Sequence, residues 1–271
     1  MIGSRTEPGD PWSRRALLRT LAGVLVAALL AVFGIAYAVY AAVRGPLEEP
    51  AAKGGPPPTS LPSGTQRRDA IAAAPMLTVP PSAARGGTPA SDPGPTITVP
   101  APTELGAAEV PTGFPRTPEG ALGQLAAIES TVLQSMSVQR ATGVHQAWAQ
   151  PGTPPAGQWA LVRSIQAFHT SRAGSAAAPL VSATPVAGQV KGVDGPDWVL
   201  ACVLMDVRAQ VASTARIAYG HCERMQWLQG RWVIGAGPAP ARAPSTWPET
   251  ALAHEAGWAT WSSSGPTDGE G

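Results

Sequence analysis

WVLACVLMDVRAQVASTARIAYGHCERMQW, residues 198–227, decides how the folded part of this chain is built. Val199, Val203, Met205 and Val207 alternate with more polar neighbours, and Ile217, Tyr219, Met225 and Trp227 do the same. Period two, twice, around a turn near Gln210–Thr214 predicts a β-hairpin. Centred on Ala212, the hairpin sets Cys202 and Cys222 directly opposite each other, each ten residues from the centre. Cross-strand partners bring Cα atoms to roughly 4.5–5.5 Å, a separation that a disulfide accepts. These are the only two cysteines in the chain. Bonding them closes a loop of about 20 residues, which contributes on the order of 3 kcal/mol.

Metal or nucleophile chemistry at the same cysteines fits less well. Zinc needs four ligands at compatible spacing. His145, His169, His221 and His254 are scattered singly, with no CxxC or HxxxH. His221 beside Cys222 points to the opposite face of a regular strand. A Cys–His pair would need His145 or His169 to come round in space. No metal and no cofactor is expected.

Downstream, Gln229-Gly230 is a tight turn into Arg231–Ile234. Upstream, LVSATPVAGQVKGV (180–193) reads as a strand pair or one bent strand, interrupted by Pro185 and Gly188. Asp194 and Asp197 bracket Gly195-Pro196 as turn chemistry. Helices precede the strands. Thr117 is a candidate N-cap, followed by Pro118 and Glu119 in the first turn, with Leu122, Leu125, Ile128 and Val132 at helical spacing. A second helix is predicted over Gln139–Ala149. A third runs from Pro155 to about His169, with Trp159, Val162, Ile165 and Phe168 on one side. Ser245 or Thr246 before Pro248 and Glu249 predicts a last helix start. The order predicts an α+β domain, helices followed by an antiparallel meander of three or four strands, one layer packed on the other.

The rest of the chain is different in kind. Thr20–Val43 holds no charge over 24 residues, and eleven of them are Leu, Ile, Val or Phe. A spanning helix needs roughly 20 residues. Arg14, Arg15 and Arg19 flank its start, so the positive-inside rule puts the N-terminus in the cytoplasm and the chain after Arg44 outside. A cleaved signal peptide ending at Ala36-Tyr37-Ala38 is the rival reading, and it exports the same domain. An oxidising exterior permits the disulfide. Residues 44–112 are dominated by Pro, Gly, Ala, Ser and Thr, and predict a disordered spacer. Two apolar islands within it, Ile71–Val79 and Thr96–Val99, are candidates to dock on the domain or a partner. The expected layout is a cytoplasmic tail 1–19, a span 20–43, a linker 44–112, an extracytoplasmic domain 113–261 and a disordered tail 262–271.

Positive evidence for an enzyme is thin. There is no GxSxG, no GxxxxGK[ST], no GxGxxG after a strand and no HExxH. No buried acid–base set is evident, and no catalytic residue is assigned. Net charge is +1, which gives no footprint for nucleic acid. Arg208, Arg216 and Arg224 share the cysteine face, and Asp206 and Glu223 lie close in sequence. They are expected as a solvated strand face rather than a basic binding stripe.

The order of tail, span, Pro-rich spacer and helices-then-meander domain resembles bitopic components of type IV secretion and conjugation machines. Their extracytoplasmic domain is an NTF2-like cone, a curved sheet wrapped on helices. GFPRTPEGALGQLAAI, VKGVDGPDWV and WVIGAGPAPARAPSTWPETALAHEAGW resemble uncharacterised actinobacterial membrane proteins often borne on mobile elements. The second resemblance implies no established activity, and the first, an analogy of architecture, goes with a non-enzymatic, membrane-anchored scaffold or assembly subunit, possibly of a conjugation apparatus. Its partners would be membrane lipid through residues 20–43 and other membrane or envelope proteins. The alternative is an exported binding module for a cell-wall component or a small ligand.

Overall fold

The structure is a computed structural model, and it describes residues 64–171, 180–210 and 214–264. The expected tail, Arg14, Arg15, Arg19, the apolar run 20–43 and the linker up to residue 63 lie outside these. Among the described residues no helix is long and apolar enough to cross a membrane. In chain order the elements are α1 (Thr65–Ala73), β1 (Thr96–Val99), β2 (Glu104–Leu105), β3 (Pro111–Thr112), α2 (Pro118–Ser135), α3 (Val138–Trp148) and α4 (Ala160–Ser171). Then come β4 (Leu180–Val193), β5 (Trp198–Gln210), β6 (Thr214–Leu228), β7 (Arg231–Ile234), α5 (Ala251–Glu255) and β8 (Ala259–Ser263).

The hairpin of β5 and β6 has the expected register, with Cys202 opposite Cys222 and Gln210 opposite Thr214. The two cysteines are joined as a disulfide. β4 is one strand bent by two bulges, between Pro185 and Ala187 and between Val190 and Gly192. Pro185 has no N–H for the ladder, and a bulge is where a strand tolerates that. The turn at Gln229-Gly230 takes positive φ at both residues, the type I′ geometry of a two-residue hairpin. The meander β4-β5-β6-β7 is antiparallel throughout. Two short strands then extend it to a curled six-stranded sheet of order β1-β8-β4-β5-β6-β7, with β1 parallel to β8.

One sheet face packs on α2, α3 and α4. Thr117 caps α2 by accepting from Gly120 N–H at 3.1 Å. Leu122, Leu125, Ile128 and Val132 are fully buried against Val199, Ala201, Val203 and Met205, and such burial stabilises by about 1.5–3 kcal/mol per large side chain. The other face is covered as well, so the domain has a third layer beyond the two expected. Leu200, Cys202 and Leu204 are apolar at the alternate positions of β5 and cannot face water. Residues 64–112, expected within the spacer, supply much of the cover. Ile71 and Ala72 pack on Trp198 and Leu200, while Met76 and Leu77 join Cys202, Cys222 and Trp258. Thr96–Val99 becomes β1.

Ion pairs pin this layer. Arg68 Nε donates to Asp194 at 2.7 Å. Arg224 Nη1 donates to Asp69 at 2.7 Å, and Arg224 Nε to Pro238 C=O at 2.8 Å. Arg224 is therefore buried beneath α1, not part of a solvated stripe. Arg208 and Arg216 both engage Asp206, and the Arg216 guanidinium also lies 4.3 Å from the Trp247 ring centroid. The last helix starts later than expected. Its N-cap is Thr250, whose hydroxyl accepts from Ala253 N–H. The chain beyond it is ordered past residue 261, since Ser262 and Ser263 belong to β8.

Candidate functional site

Strand alternation sends Tyr219, His221 and Glu223 of β6 to one face and Gly220, Cys222 and Arg224 to the other. The first three look toward α2, α3 and α4. There they meet Glu129 of α2, His145 of α3 and Ser164 of α4, together with Trp159 just before α4. Glu223 is the hub. Its Oε1 accepts from Trp159 Nε1–H at 2.7 Å and lies 3.0 Å from His221 Nε2. A carboxylate oxygen only accepts, so the proton in the second contact sits on His221 Nε2. Oε2 has no hydrogen bond among the described residues. Tyr219 and Ser164 share a hydroxyl contact at 3.2 Å, and the Tyr219 and His221 rings stack with centroids 6.1 Å apart. His145 and Trp159 lie ring against ring at 5.1 Å.

All of these except Glu129, which lies sealed behind them, border a cavity of about 670 Å³. Small residues on two of its sides, α4 and a strap outside it, leave room for it. On α4 the stripe Ala160, Arg163, Ser164 and Ala167 faces it at helical spacing, while Leu161, Val162 and Ile165 turn into the core. The outer wall is a strap, residues 235–245, rich in Gly, Ala and Pro. The strap is held by Gly235 N–H on Arg224 C=O, Ser245 Oγ on Gly220 N–H and Ala241 N–H on Ala72 C=O. Gly220 is required here, because a Cβ would sit 2.6 Å from Pro244 O. Arg163 and Arg242 are exposed members of the wall, and neither has an ion-pair partner among the described residues.

The electrostatics are uneven. Glu129 is completely buried, and neither carboxylate oxygen has a partner among the described residues. Burial first, and the neighbouring Glu223 second, push its carboxyl well above the usual range. Burial pushes the His145 ring down, partly offset by Glu223. Burial, then Glu129 and Glu223, raise the Tyr219 phenol to about 12 against the opposing contact with Ser164. Tyr219 therefore stays protonated at neutral pH.

Cys202 and Cys222 are tied to each other beneath this cavity, and among the described residues no cluster of three or more His, Cys, Asp or Glu is arranged to hold a metal. Of the four histidines, His145 and His221 converge. His169 instead contacts Met136 C=O at 2.7 Å. Sequence reading missed the buried acid–base set. Glu129 lies four residues after Leu125 and seven after Leu122, on the helical face already read as apolar. His145 falls likewise with Ala141, Val144 and Trp148, all buried. A titratable residue on a buried stripe was the available signal. Compared with known families, curated proteins and solved structures, the chain matches none.

Proposed function

We propose that this is an exported, membrane-tethered binding module. Its cavity takes a small dipolar ligand, with a cationic or donor group on Glu223 and an anionic end on Arg163 and Arg242. The carrying observation is Glu223, a nearly buried wall residue with one oxygen engaged twice and the other without a partner. An acceptor left open on the cavity wall is available to a ligand, and a charged hydrogen bond to it contributes about 1.5–3 kcal/mol. A curved sheet wrapped on helices, with polar groups inside, also accords with an NTF2-like cone. Binding is preferred to catalysis because no nucleophile stands ready among the described residues. The cysteines are bonded, and the Ser164 hydroxyl contacts Tyr219 rather than a histidine.

Calorimetric titration of the purified full-length chain with 8-aminooctanoate tests the reading. Saturable binding is expected, and Glu223→Gln is expected to weaken it by roughly tenfold or more. Absence of binding, or equal affinity in the variant, refutes it.

A scaffold subunit, possibly of a conjugation apparatus, is the second reading. It is supported by an apolar groove of about 620 Å³ along α2, bordered by Val99, Phe114, Pro185 and Trp261. A photo-crosslinking residue at Thr131 should then capture an envelope protein in intact cells, and no adduct there counts against this reading.

A further inference from the structure

The ligand class can be narrowed, given the binding reading above, from the backbone of β6. One edge of this strand pairs with β5 along its length, but the other pairs with β7 only from Met225 to Leu228. Cys202 and Cys222 have Cα atoms 4.0 Å apart, the close spacing of a non-hydrogen-bonded antiparallel pair. The N–H and C=O of Cys222 therefore point away from β5. By alternation, so do those of Gly220 and Arg224. Two bonds agree with this parity: Gly220 N–H donates to Ser245 Oγ at 3.0 Å, and Arg224 C=O accepts from Gly235 N–H at 2.6 Å.

Between those anchors the strap bows away. Gly220 C=O, Cys222 N–H and Cys222 C=O have no partner among the described residues, although both residues are buried and line the cavity. Buried backbone groups are almost always paired. An acceptor, a donor and an acceptor in a row along a strand edge are what another extended backbone completes, as in recognition by strand addition.

We propose that the cavity binds a short peptide with free termini, added as a strand to the edge of β6 opposite Cys222. One peptide residue exchanges both its N–H and its C=O with Cys222. The amino group meets Glu223 and the carboxylate meets Arg163 and Arg242. Three extended residues span about 10 Å.

The test compares three probes on the purified full-length chain: trialanine, trialanine N-methylated at its central residue, and 8-aminooctanoate, which has both charged ends and no peptide backbone. Affinity is read by calorimetry, and hydrogen exchange of the Cys222 amide by NMR. Trialanine is expected to bind at least about tenfold more tightly than the other two, the cost of losing the backbone bonds. It alone should slow exchange at Cys222. If all three bind equally and exchange at Cys222 is unchanged, the peptide assignment is overturned while a Glu223-dependent cavity stands. If trialanine binds but Glu223→Gln leaves its affinity untouched, the proposed seating is wrong. Binding by none of the probes overturns the cavity reading and the peptide together.

Discussion

Replacing Glu129 with glutamine should change how the stability of the domain depends on pH. Glu129 is sealed inside α2, with both oxygens unpartnered among the described residues and Glu223 as a charged neighbour. Its folded carboxyl holds a proton that the unfolded chain releases near the ordinary carboxylate range. Between those two values the native state binds one proton more than the unfolded state. Stability due to this group is fully present below the unfolded value and falls as pH rises, at about 1.4 kcal/mol per pH unit for one proton. It stops falling once Glu129 ionises in the fold. Glutamine does not titrate, so the variant lacks this slope. Urea unfolding of both proteins, followed by tryptophan fluorescence from roughly pH 4 to 8, gives the difference directly. That difference should be constant at the acid end and then move in favour of the variant by up to about 1.4 kcal/mol per unit. A difference that stays flat across the whole range refutes the claim that the fold holds this carboxyl protonated.

Removing the disulfide with Cys202→Ala and Cys222→Ala together should cost about 3 kcal/mol in urea unfolding, from a separation of 20 residues; a loss below about 1 kcal/mol contradicts a staple. Asp206 is nearly buried, which alone would raise its carboxyl, yet the Arg216 and Arg208 hydrogen bonds hold it below the usual range. Its contribution is present above the unfolded value and lost as pH falls through the depressed folded one. Asp206→Asn should flatten that acid limb, and at neutral pH it should cost only about 1–2 kcal/mol, because both arginines are substantially exposed and screened. Gly220→Ala pushes a methyl into Pro244 O, and should destabilise by about 1–3 kcal/mol and make the strap 235–245 more sensitive to limited proteolysis; unchanged cleavage contradicts the close approach.

The meander was legible because its information is local. Period-two patterning, the Gln229-Gly230 turn and the symmetric placement of Cys202 and Cys222 about Ala212 are all short-range signals. So are the N-cap Thr117 and Pro118 of α2. β1 and β8 were not legible, because Thr96–Val99 and Ala259–Ser263 are too short to declare themselves and become strands only by pairing with each other and with β4. The second cover layer was hidden by composition. Pro- and Ala-rich sequence between Gly64 and Pro95 resembles a spacer, yet Ile71, Ala72, Met76 and Leu77 suffice to shield the alternate apolar positions of β5. The cavity was the hardest part to read. It depends on His145, Ser164 and Glu223 coming from three elements, and on small residues of α4 and the strap leaving space between them.

The fastening of α1 also has a mechanical consequence. Tension arriving at Gly64 first meets α1, fastened by Arg68 to Asp194 and by Asp69 to Arg224, with Lys191 holding the carbonyls of Ala72 and Ala74 just beyond. Load is taken up by these charged fasteners on the sheet surface before it can reach the core under α2.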